Sequence, residues 1–253
     1  MLPLRVRIAG FVAAGLLAGC GGSGASHAST APTLSPSTSS SSTTASPSAM
    51  PRPKPRGTHV AVAPAPFRSS VSGVTAADLG KSWHPGCPVG PSSLRALTMT
   101  FWGFDQRAHS GTLIVNASAV TAVGDAFRTM YDGRFPIRRM VPIAAYGGDD
   151  NKSMAADNTS AFNCRYAVAN GPKSWSMHAF GEAVDIDTLE NPYTLDGRVY
   201  PPAGKPYTDR SRRRAGMIVP GSLPVRAFSS VGWGWGGRWS SSPDYQHFSA
   251  NGK

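Results

Sequence analysis

Residues 174–187 read SWSMHAFGEAVDID. Imidazole nitrogens and carboxylate oxygens are the donors that borderline divalent metals take, and this stretch offers His178, Asp185 and Asp187. In GEAVDID, the apolar Val184 and Ile186 alternate with the two aspartates. A strand here would turn the apolar pair toward a core and both carboxylates the other way. His178 precedes Asp185 by seven residues, an odd spacing that on one straight strand would put them on opposite faces. Phe180-Gly181 offers a turn that can bring the imidazole back over the carboxylate, because glycine reaches backbone angles closed to other residues.

Two ligands leave a metal centre incomplete. A catalytic site of this chemistry takes three protein ligands and keeps one position open. His84 precedes a proline in a turn-rich stretch, His109 sits in a polar loop, and His27 and His59 fall in a segment without core residues. His247 lies in DYQHF, behind the aromatic and glycine-rich VGWGWGGRWSSSP, on what reads as the wall of a cleft. Asp244, three residues earlier, adds a carboxylate with no lysine beside it. Hydrolysis at a metal needs a base beside the attacking water. His178, Asp185 and His247 as ligands, with Asp244 as base, fill that inventory.

These residues need elements to hold them. TAADLGKSW predicts a short helix capped by Thr75, while LRALTMTFWGF and GTLIVNAS predict strands joined through DQRAHS. Val120, Val123, Phe127 and Met130 recur at three-four spacing, which predicts an amphipathic helix with Ser118 as N-cap and Gly133 just past its end. IRRMVPIAAY, CRYAVA, EAVDIDT and DYQHFSA read as further strands, and SLPVRAFSSVGW as a short helix. GGDDNKSMAADNTSAF reads as a polar loop, and ENPYTLDGRVYPPAGKPYTDRSRRR as a long loop of the kind that carries function. There is no βαβ rhythm. The fold class is α+β, one compact domain around a mainly antiparallel sheet.

The ends bound the domain. MLPLRVRIAGFVAAGLLAGC has two arginines, an apolar run and small residues before Cys20, the layout of a secretory leader. LAGC resembles a lipobox, so residues 1–20 read as a lipoprotein signal peptide with Cys20 as the lipidated residue. Residues 21–73 are rich in Ser, Thr, Pro, Ala and Gly and contain no acidic residue. Such a segment cannot bury enough apolar surface to order itself, so it reads as a disordered tether; fifty such residues span about 40 Å. Residues 74–253 are long enough for a single core. The formal charge of +11 is distributed unevenly: six of the 25 basic residues precede residue 74, leaving 19 basic and 14 acidic residues in the domain. The run RSRRR at 210–214 reads as a solvated loop rather than a nucleic-acid site, since no stacking motif accompanies it. Anionic wall polymers or lipid headgroups suit a positive exterior better. With Cys20 lipidated, Cys87 and Cys164 remain as a pair in an oxidising compartment and are expected to form a disulfide; a buried thiol pair is the alternative.

Ser176-x-His178-x-x-Gly181-x-Ala183-x-Asp185 resembles the S-x-H-x-x-G-x-A-x-D signature of the M15 peptidases, zinc D-alanyl-D-alanine carboxypeptidases and L-alanyl-D-glutamate endopeptidases. Asp244-Tyr245-Gln246-His247-Phe248 resembles that family's second motif, in which an acid three residues before the last histidine is the general base. The resemblance implies one zinc ion on His178, Asp185 and His247, and a hedgehog/DD-peptidase-like fold. It further implies an upstream arginine that holds the substrate carbonyl, best matched by Arg165. Ser176 is then a residue that orients the loop, and Asp187 either holds a ligand histidine's free N–H or is merely solvated. Aspartate at 244, where several carboxypeptidases have glutamate, looks more like the endopeptidase branch.

The expected protein is an exported lipoprotein facing the cell wall, a monomer that hydrolyses peptidoglycan stem peptides, membrane-held through Cys20 and without a nucleic-acid partner. A second class is a non-catalytic wall-binding lipoprotein stapled by structural zinc. Asp244 argues against it, since a structural site needs no base. A third is a hydrolase with Ser176 as nucleophile and His178 as base, although no oxyanion glycine motif surrounds the serine.

Overall fold

A computed structural model describes residues 65–168 and 172–253. The expected leader, Cys20 and the tether as far as residue 64 lie outside the described residues. The chain runs β1 (Ser69–Gly73), α1 (Ala76–Leu79), β2 (Leu94–Trp102), β3 (Ala108–Asn116), α2 (Val120–Asp132), α3 (Asp150–Ala155), β4 (Ala183–Asp185), β5 (Tyr193–Leu195), β6 (Arg198–Tyr200), α4 (Leu223–Ser230), β7 (Gly234–Trp235) and β8 (His247–Ser249). There are two three-stranded antiparallel sheets, ordered β1-β2-β3 and β4-β8-β7, and a separate two-stranded hairpin, β5-β6. The fold is α+β on antiparallel strands, as the residue pattern predicts.

Alternation along β2 and β3 explains the layering. Leu97, Met99, Phe101, Leu113 and Val115 face one core, while Leu94 and Ile114 face a smaller one with Leu79 and Phe162. Helix α2 lays Val123, Ala126, Phe127 and Met130 on the larger core, the i, i+3, i+4, i+7 face expected of it. Helix α4 adds Val225 and Phe228, and Phe228 stacks on Phe248 of β8 with centroids 4.3 Å apart. Each fully buried side chain of this size contributes about 1.5–3 kcal/mol. The small sheet is thereby fixed to the helices through Val184, Ile186 and Phe248, all fully buried.

Several expectations need correction. β1 lies inside the stretch 21–73 read as tether, because Ser69–Gly73 pairs with Gly73↔Arg95 through Ser69↔Met99 of β2. The run Ile137–Tyr146 is not a strand. An isolated bridge at Pro136 precedes it, and the run itself makes a bridge at Met140 and then a 3-10 turn at Ile143–Tyr146. Pro136 and Pro142 lack the N–H a ladder requires. Among the described residues of CRYAVA, Tyr166 makes an isolated bridge to Trp175. The long loop after Glu190 contains the β5-β6 hairpin, closed at Asp196-Gly197, both at positive φ. Cys87 and Cys164 are joined by a disulfide.

Two local features hold the ends of β4. Before it, Gly181 adopts φ 70°, ψ 25°, and a Cβ there would lie 2.6 Å from the Asn116 nitrogen. Asn116 N donates to Gly181 O at 2.8 Å and Asn116 Nδ2 to Phe180 O at 2.9 Å, docking the turn on the end of β3. After it, Asp187 takes φ 43°. Its Oδ1 accepts from Arg138 N at 2.8 Å and Thr159 Oγ1 at 3.4 Å. Asp157 and Glu190 lie alongside, both buried, and the Arg138 guanidinium reaches them at 3.4 and 3.6 Å while lying 3.9 Å over the Phe104 ring. Burial, helped by a hydrogen bond to Asp157, pushes Glu190 up to about 7.

Gly181→Ala is expected to destabilise the domain by at least about 1–2 kcal/mol, the left-handed backbone cost alone, measured by urea unfolding; an unchanged midpoint would count against the docked turn. For Glu190, the folded-state pKa exceeds the unfolded one. Its contribution is therefore fully present below about 4.5 and is lost as pH rises through about 7. Glu190→Gln should shrink the fall in melting temperature between pH 5 and pH 8, and an identical fall in both proteins would contradict the assignment.

Candidate active site

The pairing of β4 with β8 places Asp185 directly opposite His247. Asp185 N and O are both taken by Ser160, at 2.9 Å each, on its other edge. The Asp185–His247 pair is therefore of the non-hydrogen-bonded kind, which brings facing side chains closest. Asp185 Oδ1 lies 3.1 Å from His247 Nδ1. His178 enters from the 3-10 turn Met177–Phe180, which Ser176 caps by accepting from His178 N at 3.3 Å. Its Nε2 lies 3.2 Å from Asp185 Oδ2 and 3.2 Å from His247 Nδ1. All three residues are buried.

Protonation follows from the partners on the far side of each ring. His178 Nδ1 sits 2.5 Å from Ala161 O, and His247 Nε2 sits 3.3 Å from Lys253 O. Ala161 O and Lys253 O can only accept, so those nitrogens carry hydrogens, and a neutral imidazole then turns its lone pair inward. Two lone pairs and a carboxylate thus converge, an arrangement that repels itself unless a cation stands between them. Zinc–nitrogen and zinc–oxygen bonds of about 2.0–2.1 Å in a tetrahedron give ligand–ligand edges of about 3.3 Å. Each observed 3.1–3.2 Å separation is close to such an edge, with His178 Nε2 and His247 Nδ1 approaching different oxygens of Asp185.

His178 and His247 line the floor of a cleft of about 740 Å³, with the buried Asp185 in contact with both. Asp244 lines it, held by Asp244 N donating to Gly236 O at 3.1 Å. Gly236 explains the glycines of WGWGG: a Cβ there would lie 2.8 Å from Asp244 O and 3.2 Å from His247 Cβ. Asp244 Oδ1 is buried without a hydrogen-bond partner. Burial first, and then the Asp185 carboxylate, raise the Asp244 pKa to about 7, with His247 and Arg165 pulling the other way. The Trp239 ring packs against His247, centroids 5.3 Å apart.

Arg165 lines the same cleft, beside the disulfide at Cys164. Its Nε lies 2.8 Å from Asp150 Oδ2, and Asn163 Nδ2 reaches the other oxygen of Asp150 at 3.3 Å. Asp150 was not legible as a site residue, since it stands in an unpatterned polar stretch. Tyr193 is another such residue: it bridges to Asp244, lines the cleft, and is pushed up to about 12 by burial.

The expected site residues separate as follows. His178, Asp185 and His247 converge; Asp244 and Arg165 share their cleft; Ser176 caps the turn that carries His178. Asp187 departs from expectation. It neither reaches an imidazole nor is solvated, because its positive φ turns it from the face of Asp185 toward Arg138 and Thr159. Ala161 O and Lys253 O accept from the imidazole N–H groups instead. A Ser176 nucleophile is unsupported, since both His178 ring nitrogens are engaged elsewhere. Arg210 is also unlike a solvated loop residue: its Nη1 donates to Glu190 O and Tyr207 O, and its Nη2 to Asn191 Oδ1 and Ile218 O.

No curated protein and no solved structure matches the chain. Residues 169–250, which carry both motifs and the three convergent side chains, match the M15 peptidase family model described as D-alanyl-D-alanine carboxypeptidase, and that match supports a peptidase-type function directed at peptidoglycan.

Proposed function

We propose that the protein is a zinc-dependent peptidase that hydrolyses amide bonds of peptidoglycan stem peptides, as an endopeptidase or a D,D-carboxypeptidase. The observation that carries this reading is the convergence of His178 Nε2, His247 Nδ1 and Asp185 at 3.1–3.2 Å on the floor of a cleft that also holds a buried, unpartnered carboxylate oxygen. Zinc on these three ligands would supply Lewis acidity and acidify a water molecule.

The remaining work falls to the chain. Asp244 accepts the proton of the attacking water and returns it to the leaving amine nitrogen. Arg165 donates toward the carbonyl oxygen as negative charge gathers there. The Asp150 carboxylate pairs with Arg165 at Nε and Tyr166 O accepts from Nη1 at 3.4 Å, which together fix the guanidinium at the cleft. Tyr193, with its raised pKa, stays protonated and offers a hydroxyl donor on the cleft wall. A lipid on Cys20 and the tether behind it would keep this domain beside the wall.

Asp244→Ala should retain stoichiometric zinc and lose stem-peptide cleavage by about 10²-fold or more, read by mass analysis of muropeptides alongside metal content. A wild-type protein that binds zinc and cleaves no stem peptide would defeat the reading. Arg165→Ala should cost about 10²–10³-fold in kcat. Asp150→Asn should lower kcat with little change in KM or zinc content, and should add nothing to Arg165→Ala; full additivity would show that Asp150 does not act through the arginine.

A further inference from the structure

The excess positive charge of the domain is confined to one segment. Residues 198–214 hold Arg198, Lys205, Arg210, Arg212, Arg213 and Arg214 against a single acid, Asp209. The other 13 basic and 13 acidic residues of 74–253 cancel. In the fold, the segment is β6, a 3-10 turn at Pro202–Tyr207 and the loop that follows. Arg198, Lys205, Arg212, Arg213 and Arg214 are exposed. Arg210 is the anchor. Its four hydrogen bonds go to neutral oxygens and its guanidinium lies 4.5 Å over the Tyr245 ring, so it fixes the loop without losing its charge to a carboxylate. Among the described residues the segment contains one ion pair, the exposed Arg212–Asp209 contact at 3.4 Å.

We propose that residues 198–214 form a docking surface for a phosphodiester polyanion that carries no nucleobases. Five of the six cations are arginines, whose fork matches phosphate oxygens in pairs. A bilayer fits less well, because the exposed apolar residues here are Pro202, Ala203 and Pro206, which have no large side chain to insert. A nucleic acid fits less well, because the aromatic rings are occupied. Tyr200 stacks on Tyr193 at 4.8 Å, and Arg214 covers Tyr207 at 4.9 Å. The surface adjoins the cleft through the β5-β6 hairpin, where Arg198 pairs with the cleft residue Leu195. A polymer held on it would keep the cleft beside the material in which the polymer is embedded. The inference stands on charge placement and does not require the peptidase reading.

The test titrates the full chain with long-chain inorganic polyphosphate over a range of salt concentrations. Binding should weaken linearly in log salt. Replacing Arg212, Arg213 and Arg214 by serine should lower that slope by about 2, from about 0.7 per phosphate contact on a flexible strand, and weaken binding at least tenfold. The melting temperature should stay unchanged. Replacing three exposed cations elsewhere, Arg107, Lys152 and Arg226, should leave both values as they were. Equal losses in the two triple variants would overturn the proposal, as would no binding at low salt. So would equal affinity for polyglutamate, tighter binding to single-stranded DNA of matched charge, or binding to phosphatidylglycerol vesicles in place of polyphosphate.

Discussion

A cross-strand pair governs the cleft floor. Asp185 gives both of its main-chain hydrogen bonds to Ser160, so it meets His247 at a position of the β4-β8 ladder where no backbone bond intervenes. That register brings an imidazole lone pair and a carboxylate together inside the protein. The 3-10 turn at Met177–Phe180 then adds a second lone pair from His178. A one-residue slip of β8 would turn His247 toward the aromatic core and Phe248 toward the cleft, so the stack of Phe248 on Phe228 protects the ligand set as much as the core.

The surroundings of this pair are arranged to tolerate a concentration of charge. The His178 imidazole is oriented by the main-chain carbonyl of Ala161 rather than by an acid side chain, so no further acid side chain is brought against Asp185 for that purpose. The other buried acids are kept apart from it in two ways. Asp187, Asp157 and Glu190 are gathered on the far side of β4 under Arg138, and Asp150 is matched with Arg165. Asp244 is the exception, buried close enough to Asp185 that its proton affinity rises. A carboxyl group in that condition is suited to exchange a proton near neutrality.

The amino-acid sequence made the chemistry more legible than the scaffold. The histidine, the glycine and the aspartate of SWSMHAFGEAVDID carry strong local constraints: a positive φ, a close backbone approach and an alternating strand. Each can be read from residue type. Asp187 was misplaced because one backbone angle, at a residue other than glycine, breaks the alternation that Val184 and Ile186 establish. Asp150 and Tyr193 were invisible because each reaches the cleft through a tertiary contact with no local pattern. The strand expected over Ile137–Tyr146 failed for a related reason. Ile137, Met140 and Ile143 are buried, but Pro136 and Pro142 restrict its ladder, and burial alone does not distinguish a strand from an irregular run. β1 was hidden by composition, since Ser69, Ser70, Ser72 and Gly73 resemble the tether that precedes them.

The Cys87–Cys164 bond has a consequence beyond stability. It ends one residue before Arg165, while the three ligand side chains lie well downstream and are assembled by the β4-β8 ladder. Newly made chains in a reducing cytosol would therefore own a complete set of metal donors but lack the covalent tie at the arginine's doorstep. Under the proposed mechanism, reducing that bond would loosen the hold on Arg165 while leaving the metal donors assembled.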